Sequence, residues 1–165
     1  MKKLLYVMML SALLCAKEST FEIEKTLNSN IFHIGQKNFN FGIGTSNEYT
    51  VVGVNINYFV IDNLSIGVGY QGWFGDDPSM QEINVPMTYY FPLSETYHPY
   101  LGGIYRHTFV EKPYEDYDVF GLRAGLAMHT GGNGYISVGW IQEYSDYGEK
   151  NKSEGYPEIS FAIAF

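Results

Sequence analysis

The segment Glu158-Ile159-Ser160-Phe161-Ala162-Ile163-Ala164-Phe165 decides the fold. Large apolar side chains stand at 159, 161, 163 and 165, with Ser160, Ala162 and Ala164 between them. Side chains alternate faces along a strand, so one face is broad and apolar and the other small. A strand with lipid on one side and a crowded lumen on the other carries this pattern. A soluble sandwich strand also alternates, but it seldom keeps large apolar residues on one face up to a terminal aromatic.

The same two-sided pattern repeats upstream. A first strand is expected over about 37–46, with Phe39, Phe41 and Ile43 outward. A second, over 49–59, sets Val52, Val54, Ile56 and Tyr58 against Gly53, Asn55 and Asn57. A third, over 64–74, sets Leu64, Ile66, Val68 and Tyr70 against Ser65, Gly67, Gly69 and Gln71. A fourth, over 82–91, puts Ile83, Val85, Met87, Tyr89 and Phe91 outward. The fifth, over 99–109, is ambiguous in phase; placing Leu101, Tyr105 and Phe109 outward turns Arg106 inward. The sixth, over 117–128, turns Arg123 inward, and the seventh, over 135–144, turns Glu143 inward.

Eight such strands make an all-β fold: an antiparallel up-and-down transmembrane β-barrel. Beyond residue 16 no apolar run is long enough for a membrane helix, so a spanning chain must satisfy its backbone by closing a barrel. Met1-Lys2-Lys3 followed by an apolar run to Ala16 reads as a cleaved signal peptide, too short for a membrane helix of about 20 residues. The expected organisation is a signal peptide over 1–16, a polar lead-in over 17–36 and the barrel over 37–165. Removing Lys2 and Lys3 takes the net charge from -8 to -10. Cys15 is either a lipidation site or a discarded residue of the signal. Leu14 stands where a lipobox wants a small residue.

Both termini fall on one side. Connections near 60–63, 92–98 and 129–134 belong to that side, read as periplasmic, and those near 46–48, 75–81, 110–116 and 145–155 to the other. Pro86, mid-strand, demands a bulge or removes a ladder hydrogen bond. Aromatic clusters at strand ends (Tyr58 and Phe59; Trp73 and Phe74; Tyr89, Tyr90 and Phe91; Tyr97 and Tyr100; Tyr144 and Tyr147) read as interfacial girdles. The chain has 15 Tyr and 18 Gly, which suits rings at two interfaces and a crowded inner face. A pI near 4.9 and the lack of a basic stripe argue against nucleic-acid binding.

The segment Tyr58 to Gly67, the start Pro99-Tyr100-Leu101-Gly102-Gly103 and the terminal strand to Phe165 resemble the small eight-stranded outer-membrane barrels of the OmpA/OmpX type, over about 37–165. The resemblance implies a bacterial outer-membrane location with periplasmic termini. It implies lipid and lipopolysaccharide as surroundings, and an assembly signal at Ile159, Phe161, Ile163 and Phe165 read by the outer-membrane assembly machinery.

The candidate site is the lumen. Arg106 and Arg123 are the two arginines, and Glu143 and Glu158 are expected to face them. An eight-stranded barrel is just wide enough for side chains to fill, and buried charges need partners. The contacts would fix the barrel or gate a narrow path. His33, His98, His107 and His129 have no metal-ligand spacing, and no cofactor is expected. His129-Thr130 only faintly resembles the His–Ser pair of lipid A deacylases, so no enzyme is expected. The loop acids Asp76, Asp77, Glu111, Glu115, Asp116, Asp146, Glu149 and Glu154 would form a solvated acidic surface or share divalent cations with lipopolysaccharide. The leading functional reading is a structural or surface-interaction barrel. The alternatives are a narrow channel for small solutes and, more weakly, a lipid-modifying enzyme.

Overall fold

In a computed structural model, residues 32–46, 49–75, 78–147 and 150–165 are described. They form β1 (Lys37–Ser46), β2 (Tyr49–Ile61), β3 (Leu64–Phe74), β4 (Met80–Tyr90), β5 (Tyr97–Val110), β6 (Tyr117–Gly131), β7 (Gly134–Tyr147) and β8 (Lys150–Ala164). Each strand is antiparallel to its neighbours, and β1 meets β8 to close the barrel. The last residue completes the closure: Lys37 N donates to Phe165 O at 3.2 Å and Phe165 N to Lys37 O at 2.9 Å.

The apolar face of every strand looks outward. Phe39, Ile56, Val68, Met87, Leu101, Phe120, Trp140 and Phe161 are all exposed. In water such a belt would be costly, and lipid is the solvent that suits it. The fifth strand takes the expected phase, with Leu101, Tyr105 and Phe109 outward and Arg106 buried.

Three expectations need correction. First, β8 begins at Lys150, where a loop over 145–155 was expected. Tyr144 pairs with Ser153 and Ser145 with Lys152, so the β7–β8 hairpin rises as a polar ladder. Its polar, charged sequence lacks the apolar alternation that marks a strand beside lipid. Second, two connections are shorter than the expected 75–81 and 110–116, since β4 already begins at Met80 and β5 runs on to Val110. Third, the aromatic clusters do not lie wholly in girdles. Adjacent residues of a strand point oppositely, so Tyr58 and Tyr89 face out while Phe59 and Tyr90 are buried inside.

Pro86 takes the second of its two options. The β3–β4 ladder pairs Leu64–Ile66 with Met87–Tyr89 and Gly69–Trp73 with Met80–Asn84, in one register, and is interrupted between. Its other neighbour stays paired, Pro86 with Ile104. A missing N–H therefore costs local ladder bonding on the β3 side without a bulge.

Residues 32–36, expected as part of the polar lead-in, form a lid over the mouth that holds the termini. Asn63 N donates to Phe32 O (2.7 Å), Gly35 N to Phe59 O (2.9 Å), Phe59 N to Gln36 O (2.9 Å) and Ile34 N to Asp62 Oδ1 (2.7 Å). Asn63 has a φ of 66°, a left-handed conformation that Asn tolerates, in the tight turn expected there. The register shift between Phe59 and Ile61 leaves room for this strap. The expected signal peptide, Cys15 and residues 17–31 lie outside the described residues.

Candidate functional site

The lumen is built in three layers along the barrel axis. The first closes the mouth at the termini. Phe32 is fully buried and stacks on Tyr90, with ring centroids 4.3 Å apart, and meets Phe59, His98 and Tyr135 at 5.6, 4.8 and 5.2 Å. Above these rings Asn38 is fully buried. Its Nδ2 donates to Tyr135 OH (2.6 Å), and its Oδ1 accepts from Asn57 (2.9 Å) and Asn40 (3.1 Å). Rings and amides together occlude this mouth.

The second layer centres on Arg123, which lies in the cross-strand row of Gly102 and Thr88. Its Nη2 contacts Glu158 Oε1, and its guanidinium lies 5.2 Å from the Tyr100 ring centroid. Tyr100 OH donates to Glu158 Oε2 at 3.3 Å.

The third layer, nearer the far mouth, centres on Arg106. Its Nη1 lies 3.2 Å from Glu82 Oε2 and its Nη2 2.5 Å from Glu143 Oε1. Nη2 also donates to Tyr156 OH at 2.7 Å, and Tyr156 OH in turn donates to Glu143. Thr108 Oγ1 donates to Glu82 Oε1 at 3.1 Å. Each guanidinium is thus held by carboxylates, as a buried cation requires.

All four expected charges face inward, and they divide into two clusters: Arg123 with Glu158, and Arg106 with Glu143. Sequence reasoning missed Glu82, which is buried and shares Arg106. The parity that sends Ile83 outward already turns Glu82 inward.

The residues proposed as the assembly signal sit on the outer face of β8 and just beyond it. Ile159, Phe161, Ile163 and Phe165 are each more than half exposed. The histidines make separate local contacts. His129 Nε2 contacts Gly132 O within its own turn (2.8 Å), and His107 Nδ1 meets Asp118 on the outer wall (2.8 Å). Two loop acids have structural partners: Asp116 accepts from Val110 N (2.9 Å) and Glu111 from Ser79 Oγ (2.7 Å). Asp76, Asp77 and Glu149 lie outside the described residues.

A cavity of about 370 Å³ remains beside the charge layers, lined from all eight strands. Gly42 and Gly53 carve it. A Cβ built on Gly42 would meet nothing closer than 3.8 Å.

A closed barrel with an outward-facing apolar wall and a packed lumen has solved counterparts. The N-terminal β-barrel domain of Pseudomonas aeruginosa OprF aligns with a TM-score of 0.62 at 16% identity, covering 80% of this chain and 98% of that one. The fold is that of the small eight-stranded outer-membrane barrels. Neisserial surface protein A aligns at 0.53 and 16% identity, covering 78% and 93%. Ail, the attachment invasion locus protein of Yersinia pestis, aligns at 0.51 and 14%, covering 80% and 99%. No family model and no curated protein sequence matches the chain.

Proposed function

We propose that the protein is a bacterial outer-membrane barrel with periplasmic termini and a sealed lumen, acting through its rigid wall and surface hairpins rather than by passing solutes. One observation carries this reading: the Phe32–Tyr90–Tyr135 ring cluster fills the mouth at the termini. Two arginine–carboxylate clusters lie behind it. An eight-stranded wall leaves no bypass around the ring cluster. Two of the barrels with this fold bear names that speak of a surface protein and of attachment, which agrees with a surface role.

Lipid and lipopolysaccharide are the surroundings that the exposed belt fits. The outward row Ile159, Phe161, Ile163 and Phe165 is available to the outer-membrane assembly machinery before closure. The far-side hairpins carry the acidic surface that a partner would meet.

Reconstitution into planar bilayers tests the reading. The expected record is flat at moderate voltage. Discrete, reproducible openings of the unaltered protein would overturn it in favour of a narrow channel.

A further inference from the structure

The strap that closes the mouth at the termini is seated by one ring, Phe32, held among Phe59, Tyr90, His98 and Tyr135. Of these side chains only an imidazole ordinarily changes charge between about pH 5 and 8. His98 is 2% exposed and stands perpendicular to Phe32, with ring centroids 4.8 Å apart.

The place is built for a neutral ring. The hydrogen-bond partner of His98 is the backbone of Glu95, and its Nδ1 is buried without a partner. A neutral imidazole has one N–H, and one acceptor serves it. A protonated imidazole has two. The second N–H would point from Nδ1 to where no acceptor stands, and the new charge would be buried with it.

The surroundings give that charge no counterion. On β6 the cross-strand partner of His98 is Ala127, and His129 repels a charge there. The β4–β5 connection supplies the Glu95 backbone. The strap supplies Phe32, with Tyr90 of β4 and Tyr135 of β7 against it. Arg123, the next cation inward, lies against Tyr100. Among the described residues no carboxylate acts on His98. Two further titratable groups touch the strap away from the cluster. The His33 ring contacts Ile34 O, and Asp62 Oδ1 accepts from Ile34 N.

We propose that the strap is an acid-released plug: protonation of His98 expels Phe32 from the ring cluster and opens the mouth at the termini to water. Lifting Phe32 relieves the misfit, because water then reaches Nδ1 and hydrates the charge. The strap can leave without the barrel. Beyond the Phe32 ring it is held by hydrogen bonds to Phe59, Asp62 and Asn63, while the strand ladder closes independently from β1 to β8. Both arginine layers lie deeper and keep their carboxylates, so the mouth is wetted without a path opening through the lumen. This goes beyond the sealed barrel proposed above and confines the seal at the termini to neutral conditions.

A spin label on Ile34→Cys reads the strap, since Ile34 is 58% exposed and stands clear of the ring cluster. With Cys15→Ser as background, EPR spectra are recorded in phosphatidylcholine vesicles from about pH 7.5 to about pH 5, where an imidazole charges. A seated strap gives an immobilised spectrum and a released one a mobile spectrum. The ratio of released to seated strap should rise on acidification by up to about tenfold per pH unit, the limit for one linked proton. It should fall again on neutralisation. His98→Gln, whose amide can still donate to the Glu95 backbone, should keep the strap seated throughout; His98→Phe serves if the glutamine variant does not fold. His33→Gln should respond as the unaltered protein does, and Phe32→Ala should be mobile at every pH. A label on Tyr114→Cys, exposed in the β5–β6 connection, should not change, which separates release of the strap from loss of the barrel. A strap that stays immobile through this range would overturn the proposal. So would release that survives without His98, release that vanishes with His33, or loosening of both labels together. Tightening on acidification would overturn it as well, by showing that His98 holds its charge against the Phe32 ring.

Discussion

Tyr100 and Glu158 stand at the two ends of one cross-strand row, with only Gly125 and Gly139 between them. The tyrosine lies along this glycine path and reaches the carboxylate from three strands away. The same alternation fills the lumen elsewhere. Asn40, Asn55, Gly69, Asn84 and Arg106 form a row in which Gly69 makes room for the amides on either side. Large and small residues alternate around the inner wall, so long side chains can cross a barrel too narrow to hold a full ring of them.

Substitution in the glycine path tests this directly. A Cβ on Gly139 would sit 2.3 Å from Tyr100 OH and 2.6 Å from the backbone oxygen of Ala124. Gly139→Ala should cost about 1–3 kcal/mol, the range of an overpacked interior. Urea unfolding in lipid vesicles measures it. An unchanged midpoint would mean that Tyr100 does not occupy the path.

The arginine layers predict a pronounced asymmetry between single and double variants. Arg123→Met alone leaves Glu158 half-buried beside Tyr100 without its cation, and should cost about 3 kcal/mol, the low end for a buried pair. Arg123→Met with Glu158→Gln removes both charges and should recover most of that loss. The comparison is a double-mutant cycle on the same unfolding assay. Strictly additive losses would dissolve the pair.

The lid yields a third prediction. Phe32 is fully buried against four rings. Phe32→Ala should therefore cost about 3–5 kcal/mol although it lies outside every strand. Ile34, 58% exposed two residues later, should tolerate Ala within about 0.5 kcal/mol. Equal effects at the two positions would show that the strap does not pack into the mouth.

These cases also show what the sequence makes legible. Wherever one strand face meets lipid, parity alone fixes direction, as at Ile83, Val85 and Met87. Parity settled Arg106 once Leu101, Tyr105 and Phe109 were taken as outward. Which arginine meets which glutamate was not legible, because pairing depends on the register of strands distant in sequence. Glu82 was open to the same parity rule but stood at a strand's first residue, where no outward neighbour precedes it. The first part of β8, Lys150 to Pro157, is not legible because its polar, charged sequence lacks the apolar alternation. Phe59, Tyr90 and Tyr100 were misread together, because a clustered aromatic pair places one ring on each side of the wall.

The outer face supplies the last prediction, and it separates membrane from water without reference to any relative. Leu122 is 60% exposed in mid-strand on β6. On a water-facing wall, Leu122→Arg would change stability by no more than about 0.5 kcal/mol. Facing the bilayer midplane, it should cost about 2–4 kcal/mol, with smaller losses for Phe74→Arg near the end of its strand. The measurement is unfolding in vesicles, with the heat-dependent shift in SDS gel mobility confirming that each variant folds. A flat response along the strand would remove lipid as the solvent of the apolar belt, and the outer-membrane reading would lose its physical basis.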